Sequence, residues 1–179
     1  MSGLGIIHEM GTTRRHSHIL SDIWRDITSK FFDLYKQQKI MPVQEQLALC
    51  YYGNYNEIDI VKLIDANEFT SDEINYVNVI YPDFMLFYNN KYLINKEETR
   101  YAGKPDLIVE VWSKGNDDYH RRFKTTLYST SDITEHWYIE QDSNDILCML
   151  GKVILPSQNL QQILKIQNGL TLDLRHLAL

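Results

Sequence analysis

Pro82-Asp83-Phe84-Met85-Leu86-Phe87 and Lys104-Pro105-Asp106-Leu107-Ile108-Val109-Glu110-Val111-Trp112-Ser113 are two apolar runs, each introduced by Pro-Asp. Both read as buried strands of a central sheet. The first has an acid at its mouth, Asp83, and the second carries Glu110 deep in its interior. A carboxylate inside Leu-Ile-Val-Glu-Val is expensive to bury unless something compensates it. Lys124 and Tyr128 follow on the next segment.

Consecutive strands of this kind pair antiparallel most simply, over 79–88 and 106–112, which sets Asp83 beside Glu110. Side chains alternate along a strand, so Asp106, Ile108, Glu110 and Trp112 share a face. Asp106 then lies roughly 13 Å from Glu110, too far to share one ion. Asp83 and Glu110 are therefore expected to form a metal-holding pair, with Asp106 in a secondary role. Hard oxygen ligands of this type suit Mg²⁺ or Mn²⁺. Such an ion polarises a phosphate and acidifies a bound water. Lys124, projecting from the helix expected over 117–129, would stabilise developing negative charge. These are the parts of a phosphodiester hydrolase. The alternative is that Pro-Asp merely starts strands and that a buried base neutralises Glu110.

Outward from this stretch, Ile19, Leu20, Ile23, Trp24, Ile27, Phe31, Leu34 and Tyr35 recur with a 3.6 period and predict an amphipathic helix over 18–38. Ser17, Thr12 or Thr13 would cap it. Alternation over Val43–Tyr51 predicts one strand, which includes Glu45. Residues 53–74 are broken and polar around an apolar island and read as an excursion. A strand is expected over 76–88, and a polar connection over 89–104. Strands are also expected at His136–Ile139 and Asp145–Leu150, joined by a turn at Gln141–Asn144. A helix is expected near 158–166, and a last strand at Gly169–Leu172. This order fits a mixed α/β (α+β) core in a single domain, 1–179. Its parts are the N-terminal helix 18–38, a catalytic core 76–150 and a C-terminal docking tail 151–179.

The chain has 179 residues, 44% of them hydrophobic, enough for one sizeable core. No apolar run approaches the roughly 20 residues of a membrane span, and the N-terminus does not read as a secretory signal. Cys50 and Cys148 lie far apart in apolar runs, as expected of buried free thiols in a reducing cytoplasm. Net charge is −6, which argues against a general nucleic-acid coat. Residues 91–124 nevertheless hold eight Lys/Arg against six Asp/Glu, so the least acidic stretch carries the suspected chemistry. Lys114, His120, Arg121 and Arg122 are candidates for gripping a nucleic-acid backbone there, unless they simply face solvent. His16 and His18, with Arg14 and Arg15, crowd the first helix's start, where anions are favoured.

These residues carry a resemblance. Pro82-Asp83, Pro105-Asp106-Leu-Ile-Val-Glu110-Val-Trp-Ser113, Lys124-x-x-x-Tyr128 and Glu135-His-Trp137-Tyr-Ile139-Glu140 are similar to the Uma-type restriction endonuclease family, a bacterial group within the PD-(D/E)XK nuclease superfamily. The likeness is specific over 76–150 and looser over 14–50, where His16 fits the family's histidine before its first helix. It implies a restriction-endonuclease-like fold, a central mixed sheet flanked by helices, often assembled as homodimers. It implies DNA as partner, Asp83 and Glu110 as metal ligands, and Lys124 as a catalytic lysine migrated onto the helix. His16, His18 and Glu45 would be accessories.

The usual lysine place, two residues after Glu110, is held by Trp112. The family's Ser-Pro is Ser113-Lys114, its Tyr-Trp is His136-Trp137, and Glu140 replaces an Asp. About fifteen residues precede His16, leaving Glu9 as substitute for a family glutamate. The readings therefore run from a magnesium-dependent endonuclease, through a nuclease-fold binding or assembly module without competent catalysis, to an interaction protein whose buried acid is structural.

Overall fold

The protein is described by a computed structural model at residues 13–44, 48–52, 77–88, 92–94, 100–103, 105–113, 118–130, 135–166 and 169–178. Elements are α1 (Arg14–Lys30), α2 (Phe32–Lys36), β1 (Ile40–Gln44), β2 (Ala48–Tyr52), β3 (Val77–Ile80), β4 (Phe84–Tyr88), β5 (Tyr92–Ile94), β6 (Arg100–Gly103) and β7 (Leu107–Trp112). There follow α3 (Asp118–Thr130), β8 (Glu135–Glu140), β9 (Asp145–Leu150), β10 (Val153–Ile154), β11 (Gln158–Asn159), β12 (Ile163–Lys165), β13 (Thr171–Asp173) and a 3-10 turn, Arg175–Leu177.

The central sheet runs β1-β4-β7-β8-β9-β10, with β11 also on β9. It is mixed: β7 and β8 are parallel and every other pair is antiparallel. A parallel pair needs a crossover, and α3 lies on the connection between β7 and β8. β4 pairs β7 in the register Phe84↔Val109, Met85↔Ile108, Leu86↔Leu107. Continued by one position, that register sets Asp83 opposite Glu110, as the sequence implied.

One face of the sheet (Leu107, Val109, Val111, Trp137, Ile139) packs with Ile19, Leu20, Ile23 and Ile27 of α1 in the larger apolar core. Residues of the opposite face (Ile108, Trp112, Tyr138) share a second core with Tyr128 of α3. Both faces of β7 are covered, which explains an apolar run interrupted by Glu110 alone. Trp137 is fully buried in the core, and burial pushes the Cys148 thiol up to about 11, as suits an inert interior cysteine.

Thr13 caps α1: its Oγ1 accepts from His16 N at 3.1 Å and donates to Gln141 Oε1 at 2.6 Å. Thr13→Ala is expected to lower stability by about 1–2 kcal/mol, read as a drop in thermal midpoint.

Several boundaries depart from the sequence expectation. The first helix starts at Arg14, not 18, and breaks at Phe31 before α2. The expected strand over 43–51 is two strands in different sheets, β1 in the central one and β2 in a smaller sheet ordered β3-β2-β6-β5. The expected strand over 76–88 is likewise divided at Tyr81-Pro82-Asp83, where Pro82 has no N–H to donate to a ladder. The polar connection over 89–104 contains β5 and β6. The helix expected near 158–166 is absent: β11 and β12 stand there, with a turn at Asn159–Gln162. Leu160 and Leu164 are both buried, so helix-like spacing of apolar residues is satisfied by a turn and a strand. Glu45, Lys114 and the 53–74 excursion lie outside the described residues. Among the described residues no helix is long and apolar enough to cross a membrane.

Candidate active site

Asp83 sits in the bend that leads into β4, and its Oδ2 accepts from Val111 N at 2.7 Å, one residue beyond Glu110. His16, from the first turn of α1, brings Nε2 to 3.1 Å of the same Asp83 oxygen. Asp83 is 4% exposed and His16 5%. Among the described residues no hydrogen bond reaches the other oxygen, Asp83 Oδ1.

Glu110 lies on the α3 side of β7 and is fully buried. Lys124 Nζ donates to its Oε2 at 2.7 Å, and Tyr128 Oη donates to its Oε1 at 2.5 Å. Lys124 and Tyr128 are four residues apart on α3, so one helix face supplies both donors. Lys124 Nζ also reaches the Tyr81 carbonyl at 3.4 Å, which ties α3 to the segment leading into Asp83. Burial raises the Glu110 carboxyl to about 8; Lys124 opposes that rise, Asp83 adds to it by repulsion, and the bonds from Lys124 and Tyr128 lower it. Strongly perturbed carboxyls beside a specific charge partner concentrate at functional sites.

The three central residues expected from sequence therefore converge. Others do not. Asp106 is at the far end of the pair, where Oδ2 accepts from Tyr88 N at 2.7 Å and closes β4. Arg121 is committed to Glu140 Oε1 at 2.6 Å and the Ser113 carbonyl at 2.5 Å, rather than standing ready for a backbone phosphate. Arg122 is exposed, with its Nε 3.3 Å from the Asp118 carbonyl. His120 is within α3, and its side chain lies outside the described set. His18 is exposed on α1, away from the buried His16. Trp112, in the place of a strand lysine, stacks on Tyr138 with ring centroids 4.3 Å apart, and the Arg121 guanidinium lies 4.7 Å over its ring.

Tyr128 is a buried core residue as well as a donor to Glu110, and the sequence does not show that bond directly. The spacing Lys124-x-x-x-Tyr128 was the available signal. Lys124 turns inward from α3 and is 5% exposed.

The family described as "Putative restriction endonuclease" (Uma2) matches residues 73–175, more than half of the chain. The chain belongs to this family. The Uma2 match spans Asp83, Glu110, Lys124 and Tyr128, whereas α1 with His16 lies ahead of it. No curated protein matches the chain. Among solved structures, one described as a "putative nuclease belonging to DUF820" from Anabaena variabilis superposes with a TM-score of 0.65 at 13% identity. The match covers 97% of this chain and 87% of that one. At that identity the likeness shows a shared fold. Uma2 membership supports a nuclease.

Proposed function

We propose that the protein is a divalent-metal-dependent endonuclease that hydrolyses phosphodiester bonds of DNA by attack of an activated water. The observation that carries this reading is the meeting of Asp83, Glu110 and Lys124 at one end of the β4–β7 pair, two carboxylates and an amine from three segments.

Among the described residues no group of three or more His, Cys, Asp and Glu is arranged to hold a metal. Magnesium does not need one: it is commonly held by one or two carboxylates, keeps several waters and shares substrate phosphates. Asp83, with Oδ1 open among the described residues, and Glu110 fit that mode as the residues that would hold the ion. A bound cation there supplies charge neutralisation and a water acidified toward neutral pH. Lys124 pulls the raised Glu110 carboxyl back toward ionisation and sets a positive charge where a phosphate would gain negative charge. Tyr128 fixes the Glu110 carboxylate from the other oxygen, and His16 fixes Asp83.

The test is direct. Mn²⁺ titrated into the protein is expected to bind, and Asp83→Ala to weaken that binding by at least about tenfold. Supercoiled plasmid is expected to be nicked with Mg²⁺ and spared with chelator. Protein that binds neither Mn²⁺ nor nicks plasmid overturns the proposal. Trp112 in the lysine place and the full occupation of both Glu110 oxygens favour a second reading, a nuclease-fold binding module. Retained DNA binding without nicking would establish that one.

A further inference from the structure

The chain carries a net charge of −6, yet one cavity of about 430 Å³ is lined by Arg14, Arg15, His18, His176, Leu177 and Ala178, with no carboxylate among them. Three of the basic residues come from the first turns of α1 and the fourth from the 3-10 turn near the C-terminus. Among the described residues Arg15 is held by neutral acceptors, Nε to the Gln141 carbonyl at 2.5 Å and Nη2 to Asn144 Oδ1 at 2.7 Å. Those bonds fix the guanidinium without cancelling its charge. Arg14 and His18, one helical turn apart, have no hydrogen-bond or ion-pair partner among the described residues and are exposed. His176 Nε2 is 2.8 Å from Asp22 Oδ2, and Asp22 also pairs with Arg25. Asp22 is engaged on both oxygens, and Asp26 and Asp173 line an adjoining cavity that shares His176. The positive charges of Arg14 and Arg15, neither bonded to a carboxylate among the described residues, attract an anion with several oxygens.

Helical spacing relates this cavity to the candidate site. His16 turns inward to Asp83, whereas Arg14 and His18 project from the other side of the same turn. The cavity and the candidate site therefore flank the start of one helix, whose width is about 10 Å. We infer that the Arg14–Arg15–His18–His176 cavity binds a phosphate group of the nucleic-acid strand, a few nucleotides from the bond at Asp83 and Glu110. The choice of nucleic acid rests on the proposed function; the affinity for phosphate does not.

Two measurements on the full chain test it. The first is anisotropy of a labelled DNA duplex, in chelator, across a series of salt concentrations. Arg14→Ala combined with His18→Ala is expected to flatten the salt dependence of the binding constant by between about 1 and 2 in log–log slope. Lys152→Ala, which removes one positive charge from the turn before β10, is expected to keep the wild-type slope. The second is titration of tripolyphosphate followed by the NMR ring signals of His18 and His176, which are expected to move together. Duplex binding with an unchanged slope in the double variant overturns the inference and leaves the nuclease reading intact. Tripolyphosphate that moves both histidines while no duplex binds supports the phosphate site, makes free phosphates its ligand, and overturns the nuclease reading instead. Histidine signals that move with neither ligand overturn the site outright.

Discussion

Glu110→Ala is expected to cost roughly 3–5 kcal/mol in urea denaturation at pH 7 and to lower plasmid nicking by on the order of 10³. The stability loss follows from what stays behind. The Lys124 side chain is 7% exposed and donates to Glu110 Oε2, so removing the acid leaves a buried amine without its acceptor. Tyr128 Oη loses its acceptor as well. Glu110→Gln combined with Lys124→Met removes both charges and keeps an amide oxygen for Tyr128. That pair is expected to recover most of the stability without any nicking. In a double-mutant cycle the coupling is expected to reach at least about 2 kcal/mol. Independent losses that simply add would show that the two residues are not the energetic unit the 2.7 Å contact implies.

Lys124→Met alone sharpens the same test through pH. Burial already raises Glu110 from 4.5 to about 8, and Lys124 is the largest influence pulling it back. Without Lys124 the carboxyl rises further. A raised acid holds its proton in the folded state across the window where the unfolded chain has lost it, so stability falls as pH rises from about 4.5 through the folded value. The Lys124→Met protein is therefore expected to be closest to wild type near pH 5 and furthest from it near pH 9. A stability gap independent of pH would contradict the assigned pairing.

How much of this was legible depends on the kind of signal. The β4–β7 pair was readable because Pro-Asp marks both strand starts and because an acid within Leu107–Val111 has few ways to exist. Antiparallel pairing then fixed Asp83 against Glu110 with no further information. α1 was readable from period, but its true start at Arg14 and its break at Phe31 were not, since caps decide ends and periodicity does not. The tail misled for a physical reason. Leu160 and Leu164 fit a helical stripe, yet Leu164 lies in β12 across from Leu172, and only a long-range partner distinguishes the two outcomes. The division of 43–51 and of 76–88 between two sheets was equally hidden, because alternation reports a strand and never which sheet receives it. β5 and β6 of the smaller sheet were hidden because they lie within a connection of mostly polar composition. At the site, charge type predicted Asp83, Glu110 and Lys124. It could not reveal that Arg121 is bound to Glu140, or that Tyr128 donates to Glu110, because those depend on side-chain reach in three dimensions.

His136 makes the second large effect, and it acts from the acid side. The residue is fully buried on β8, and among the described residues neither ring nitrogen has a hydrogen-bond partner. Its ring lies 6.1 Å from that of Tyr128 and 5.5 Å from that of Tyr138. Burial lowers its pKa from 6.5 to about 4, so the folded protein holds the imidazole neutral where the unfolded chain binds a proton. More protons on the unfolded chain mean that stability rises with pH across this window. The contribution is fully present above about 6.5 and is lost as pH falls toward 4, roughly 3 kcal/mol in all. His136→Leu fills the same apolar space without a titrating group. It is expected to match or exceed wild-type stability at pH 7, since two unsatisfied nitrogens are removed, and to hold more of that stability at pH 4.5. Other carboxyls, Glu110 included, titrate in both proteins and cancel in the difference. Denaturation curves for wild type and His136→Leu that stay parallel from pH 7 to 4.5 would mean that the imidazole is hydrated or paired when protonated, and that the interior beside Glu110 and Tyr128 admits water.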